Sequence, residues 1–256
     1  HELELSHGAQ AGASRDSALE PMHRSSFAFS FAGLGAIGLP VHDAHVAGAF
    51  LPEYRCAIAG EAHRSRVLGD TGDSAPEHWR WGNPQRPVHL LYMIFCATDE
   101  QLAARLALEL GQLDGLEPVH EAIRAEIPPD LTEPFGFRDG ISQPLIEGSG
   151  TSRLPSGPSG RSGVIKAGEF ILGYVNEFGQ RPLTPMLPSR FDPEDHLRPA
   201  GLGVDDAKDF GRNGSYLVVR QLAQDVAGFH RYAGAAARAN PHLGSPKGIG
   251  ALMVGR

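Results

Sequence analysis

VHLLYMIFCATDEQLAARLALELGQL, residues 88–113, decides the fold class. Its opening, VHLLYMIFCA over 88–97, is the longest apolar stretch in the chain and has the length of a strand. Thr98 then begins T-D-E-Q, a capping box with Gln101 in which each side chain can satisfy a free helix-end donor. Leu102, Leu106 and Leu110 follow at helical spacing over 99–113. The pattern predicts a central strand buried on both faces, then an amphipathic helix.

The neighbouring segments extend this alternation. SFAFSF, 26–31, places Phe27, Phe29 and Phe31 on one face of a half-buried strand. A short helix follows and stops by Pro40, and 43–58 reads as helical. A turn-rich loop, LGDTGDSAPEHWRWGNPQRP, runs from 68 to 87. PVHEAIRAEI, 118–127, alternates and predicts another strand. Strand, helix, strand, helix, strand in this order predicts an α+β fold, a mixed sheet covered by helices.

GSGTSRLPSGPSGRSG, 148–163, is a Ser/Gly/Pro stretch that divides the chain. Beyond it, GEFILGYV (168–175) and GSYLVVRQL (214–222) predict strands, 176–210 is largely loop, and Ala223 to Ala239 predicts a helix. The expected organisation is a flexible arm over 1–24, a first domain over 25–150, a linker over 151–163 and a second domain over 164–256.

Composition narrows the function classes. With 41% hydrophobic and 21% charged residues in 256, the chain is an ordinary globular protein, and Gly 32 with Pro 20 makes it rich in loops. A formal charge of -7 argues against a nucleic-acid partner. No apolar run approaches the roughly 18 residues that a membrane helix needs. Cys56 and Cys96 are the only cysteines, too few for a disulfide framework, and they favour the cytoplasm. The opening HELELSHG shows no signal-peptide pattern.

Four candidate sites stand out. Gly33-Leu34-Gly35-Ala36-Ile37-Gly38 matches G-x-G-x-x-G, but Pro40 ends the helix too soon for a dinucleotide fold. Asp70, Asp73, Glu77 and His78 could in principle hold a divalent ion, yet their spacing matches neither an EF-hand loop nor H-E-x-x-H, and turn chemistry accounts for most of it. The twelve histidines, among them His89, His120, His230 and His242, include none that spacing identifies as a metal ligand. The fourth is EPFGFRDGISQPLIE, Glu133 to Glu147. Two glycines bracket Arg138-Asp139, letting backbone turn tightly near a planar ligand. Phe135, Phe137 and Ile141 would desolvate Asp139, raise its pKa and make it a better proton acceptor.

This last segment carries a family resemblance. GFRDG resembles the G-x-x-D-G signature of the dye-decolourising peroxidases, and ISQP continues it as in many of their bacterial and fungal members. SFAFSFAGLGAIGLP, LGDTGDSAPEHW, GEFILGYVNEFG and FGRNGSYLVVRQLAQDV are similar to further family segments and occur in family order across roughly 25–256. The resemblance implies ferredoxin-like domains of the dimeric α+β barrel type, with mixed or antiparallel sheets covered by helices. It implies b-type haem, iron protoporphyrin IX, as cofactor, hydrogen peroxide as oxidant, and bulky phenolic, aromatic or dye-like electron donors. Asp139 would take a proton from the peroxide and return it to the leaving oxygen, while Gly140, Ile141, Ser142 and Gln143 line the distal face of the haem.

The sequence also departs from the family. Residues 1–25 are shorter than, and unlike, the family's leading strand and helix. The family's proximal His and distal Arg are expected downstream of MVGR, so no iron ligand is carried over and the second domain is expected to be incomplete. An unclosed sheet would expose an edge and favour a homo-oligomer. The alternative reading is a non-catalytic haem-binding or interaction relative.

Overall fold

β1 (Arg24–Phe29) and β2 (Leu90–Phe95) form an antiparallel ladder running from Arg24↔Phe95 to Phe29↔Leu90. The computed structural model describes residues 23–56, 62–112, 115–125, 130–138, 144–148, 164–201 and 206–255. Most of the expected arm and all of the linker over 151–163 lie outside the described residues.

Between these strands the chain forms α1 (Phe31–Ala36), α2 (Ala44–Ala49), α3 (Pro52–Arg55) and α4 (Ala62–Leu68). Ser30 caps α1, its Oγ accepting from Gly33 N at 3.0 Å, and Asp43 caps α2 by accepting from His45 N and Val46 N. The single helix expected over 43–58 is broken. Phe50 is extended, and Pro52 opens α3 with Leu51 before it in extended backbone, where a prolyl ring drives its predecessor. After β2, α5 (Asp99–Gln112) starts as expected, with Gln101 N donating to Thr98 Oγ1 at 3.3 Å. The amide side of the capping box is thus formed, while Gln101 Oε1 is buried without a hydrogen-bond partner among the described residues. β3 (Leu145–Ile146) pairs parallel with β4 (Val164–Ile165), and β5 (Met186–Pro188) antiparallel with β6 (Ala207–Asp209). Two helices close the chain, α6 (Val226–Ala239) and α7 (Pro246–Met253).

The architecture is therefore α+β, helices together with small sheets that pair two strands at a time among the described residues. No helix among those residues is long and apolar enough to cross a membrane. β2 differs from the central strand expected of it. Leu90 to Ile94 are only half-buried and Phe95 is 58% exposed. Three further segments expected as strands are not strands. Residues 118–125 run without regular secondary structure, with Val119 O accepting from Arg86 and the His120 ring beside Trp81. GEFILGYV folds back on itself through a 3-10 turn at Ala167–Glu169, Gly168 N donating to Val175 O at 3.1 Å. Residues 214–222 run without regular secondary structure, with Val218 92% exposed.

The described residues fall into two compact units. One draws on His1–Glu121, Leu145–Leu154 and Gly163–Leu217, the other on Ala122–Pro144, Pro155–Ser162 and Val218–Arg256. The core of the first unit is Leu34, Val46, Phe50 and Leu187. Phe50 packs edge-on to Phe31 and Phe210 and is stacked on Tyr54. The Tyr54 hydroxyl donates to Phe29 O at 2.7 Å, and burial, with the nearby Tyr216, pushes its pKa up to about 12. In the loop between β5 and β6, the buried Asp192 accepts from His196 N and Leu197 N, both at 2.9 Å. Burial pushes its carboxyl up, but those amides and the Lys208 ammonium outweigh it and hold the pKa below the ordinary range.

Gly33 is fixed by contact. A Cβ there would lie 1.9 Å from His89 O, because α1 starts directly against the strand that Ser30 N joins through the same carbonyl. Gly33→Ala is expected to cost roughly 1–3 kcal/mol through backbone displacement. Gly48→Ala, in a helix with open space around it, should instead stabilise by roughly 0.5–1 kcal/mol. Urea midpoints of the two variants check the opposite signs.

Candidate functional site

The GFRDG segment begins on a turn built from its own residues. Glu133 N donates to Phe137 O at 2.9 Å, Gly136 N donates to Glu133 O at 2.8 Å, and Thr132 bridges Arg138 in antiparallel fashion. Gly136 has φ 93, a left-handed backbone that favours glycine at this corner. The Glu133 carboxylate then folds over the turn. Its Oε2 accepts from Phe135 N at 2.8 Å and its Oε1 from Phe137 N at 3.0 Å. Gln224 Nε2 donates to the same Oε2 at 3.1 Å, joining the turn to the residues just before α6.

Two aromatic side chains seat the turn on α6. Phe135 stacks on Phe229 at 4.3 Å with 21° between the rings, and Phe137 meets Phe229 edge-on at 6.3 Å. α7 closes the other side. A Cβ on Gly250 would sit 3.2 Å from Phe229 Cε1 and 3.3 Å from Phe137 Cζ, so the helix approaches both rings as closely as its backbone allows. Asp225 caps α6 through Gly228 N at 2.8 Å, which fixes where Phe229 emerges. The apolar neighbours Phe135 and Phe137, expected to desolvate Asp139, are thus held on the same helix, while Arg138 is exposed.

Asp139 and the expected cofactor-lining residues Gly140, Ile141, Ser142 and Gln143 lie outside the described residues. The described charges next to them are Asp130 and Arg138. The Thr132 hydroxyl and amide, with the Arg138 charge behind them, hold the Asp130 carboxyl below its usual value. On the other flank, Glu147 pairs with Lys166 at 2.8 Å beside β3 and β4.

The remaining candidates resolve differently. Gly33 and Gly35 lie inside α1, with Gly33 pressed on His89 O, so the G-x-G-x-x-G backbone is committed to packing. In the DTGDSAPEH loop, His78 Nδ1 lies 3.3 Å from Asp73 O and Trp79 Nε1 donates to Ser74 O, which is turn chemistry. Asp70 is 4% exposed. Among the described residues no three His, Cys, Asp or Glu side chains converge on a metal position. His230 lies edge-on to Phe229 and is exposed, as is His242. The supporting role of Glu133, Gln224 and Phe229 escaped the sequence reading. An acid two and four residues before free amides was a usable local signal; the pairing of positions 133 and 224 was not.

No protein-family model matches the chain. Three curated proteins do. The chain is 25% identical over 246 residues to dye-decolorizing peroxidase msp1 of Mycetinis scorodonius, covering 93% of this chain and 40% of that protein. It is 29% identical to peroxidase 2 of the same organism, covering 93% and 39%. It is 26% identical to the dye-decolorizing peroxidase of Mycena epipterygia, covering 93% and 38%. The chain thus spans about two-fifths of the length of these relatives.

Glu133→Ala removes a charged acceptor from two amides and is expected to cost roughly 2 kcal/mol, with faster hydrogen exchange at Phe135 and Phe137 than elsewhere. Lowering the pH should loosen the same turn from its other end. The Asp130 contribution is complete above the ordinary carboxylate value of 3.8 and is lost as pH falls through its depressed folded value. Exchange at Thr132 N, followed from pH 6 to about pH 2, reads that loss.

Proposed function

We propose that this chain, which is related to the dye-decolourising peroxidases, acts as a haem-dependent peroxidase that reduces hydrogen peroxide and oxidises bulky aromatic, phenolic or dye-like donors. The observation that carries the reading is the similarity over 246 residues to proteins of that name, with GFRDG inside it. A ferredoxin-like architecture on either side of the 151–163 linker belongs to the same reading, supported by the antiparallel β1–β2 ladder with α5 against β2.

The described residues fit the distal half of such a site. A turn clamped by Glu133 and seated through Phe135 and Phe137 on Phe229 leads straight into Asp139. That is the construction a positioned proton carrier needs, since a floating carboxylate would lose its alignment. Haem, when bound, supplies the iron that accepts the peroxide and the electrons of the donor. Gly140, Ile141, Ser142 and Gln143 would lie along its distal face, and no iron ligand is assigned among the described histidines. Asp139 accepts the proton from the peroxide oxygen and returns it to the departing oxygen as water leaves.

Absorbance and turnover test this on the chain supplied with haem. A Soret band and peroxide-dependent bleaching of an aromatic dye are expected. Asp139→Asn should keep the band and lose roughly 10²–10⁴-fold in turnover, the usual worth of a general acid–base. Near-full turnover in that variant would overturn the assignment. Haem uptake without bleaching in the parent chain would point instead to a non-catalytic haem-binding or interaction protein. A carboxylate base of reference pKa about 3.9 also stays deprotonated in mild acid, where a histidine of about 6.5 would be protonated. Turnover should therefore persist in mild acid and fall as pH drops through the Asp139 value, which desolvation by its apolar neighbours sets above the reference.

A further inference from the structure

In the first unit, a cavity of about 410 Å³ is lined by Arg181, Arg198, Pro199, Ala200, Asp209 and Arg212. We propose that it is a binding site for a small molecule bearing an oxyanion group, carboxylate or phosphoryl, held by the three guanidinium groups.

The floor is built from paired backbone. Asp209 N donates to Arg198 O at 2.8 Å and Ala200 N to Ala207 O at 2.9 Å, so 198–200 runs alongside β6 and Ala200 is buried. This pairing places Arg198 and Asp209 on the same wall. Arg212 is fixed from the other side. Its Nη1 donates to Gly173 O at 3.0 Å, and its guanidinium lies 4.7 Å from the centre of the Tyr174 ring. Tyr174 is itself held by its hydroxyl, which donates to Asn213 Oδ1 at 2.6 Å. Gly173 makes the approach possible. It has φ +88, and a Cβ there would lie 2.9 Å from Arg212 Cγ. One of the five N–H donors of Arg212 is used by that carbonyl, leaving a preorganised fork.

Charge accounting points to an external anion. Arg181 and Arg198 form no side-chain hydrogen bond or ion pair among the described residues. Among the described residues Asp209 is the one acid in the lining, and its Oδ1 accepts from the Thr184 hydroxyl at 2.7 Å without an ion pair to any of the three arginines. The adjacent Lys208 is engaged elsewhere, by Asp195 and Asp192. Three cations facing one acid in a chain of net charge -7 concentrate an uncompensated positive field in one concave place. Guanidinium groups match planar or tetrahedral oxyanions through paired N–H bonds, which a lysine cluster would not.

Isothermal titration of the full chain with inorganic phosphate, and separately with succinate, tests the site without haem or peroxide, so its outcome is independent of the peroxidase reading. Saturable binding of at least one probe is expected, weakening with added sodium chloride. Arg181→Ala and Arg198→Ala should each weaken it by roughly tenfold or more while circular dichroism stays unchanged. Asp209→Asn, which retains an acceptor for Thr184, should tighten it by removing the opposing charge. Phosphate binding alone would assign a phosphoryl ligand, and succinate binding alone a carboxylate. Absence of saturable binding of both probes, or binding indifferent to both arginine substitutions, would overturn the proposal.

Discussion

Phe50 is the contact on which the first unit depends. Its ring meets Phe31, Tyr54 and Phe210, and with Leu34, Val46 and Leu187 it forms the buried core. A two-stranded sheet is marginal by itself, so the β1–β2 ladder needs a packed layer to hold it. The Tyr54 hydroxyl supplies the tie, bonding the last carbonyl of β1 and anchoring the end of the strand in the aromatic cluster. Aromatic pairs contribute about 0.5–1.5 kcal/mol each beyond the area they bury, so several around one ring make a firm centre for a loop-rich chain. Pro52 belongs to the same construction. By breaking the helix at Phe50 it turns that ring and Tyr54 toward one another.

In the second unit Phe229 does for the GFRDG turn what Phe50 does for the sheet. A short glycine-cornered turn has little stability of its own. Here its backbone donors end on the Glu133 carboxylate and its aromatic side chains on α6 and α7. Polar closure and apolar seating act on the same few residues. Arg138, the last described residue of the turn, is therefore held in a defined place.

The sequence foretold elements whose signals are local. The T-D-E-Q start of α5, the halt of α1 before Pro40 and the helix ending at Ala239 all rest on contacts within a few positions. The strand expected over 26–31 instead lies at Arg24–Phe29, with Phe27 exposed and Phe31 in α1, because its pairing with β2 sets its bounds. What failed was strand assignment from apolar alternation alone. GEFILGYV and GSYLVVRQL have the composition of strands, but a strand exists only when a partner ladder is in place, and that is a long-range fact. Gly168 and Gly173 made the first of them into a turn, and 214–222 runs without a ladder. The candidate site divides in the same way. The motif itself was visible as a string of residues, whereas its fastening by Gln224 and Phe229 crosses some 90 positions of chain and left no local trace.

The core of the first unit also has a temporal meaning. Leu187 and Phe210 complete the hydrophobic cluster begun by Val46 and Phe50, so two of the core partners are synthesised well over a hundred residues after the rest. Their pairing closes a loop on the order of 140 residues, and contacts that distant slow the search for the native state. Until then Phe31, Leu34, Val46, Phe50 and Tyr54 have only one another to pack against. Synthesis therefore passes through an interval in which this cluster is incomplete, and exposed apolar surface of that kind is prone to aggregate.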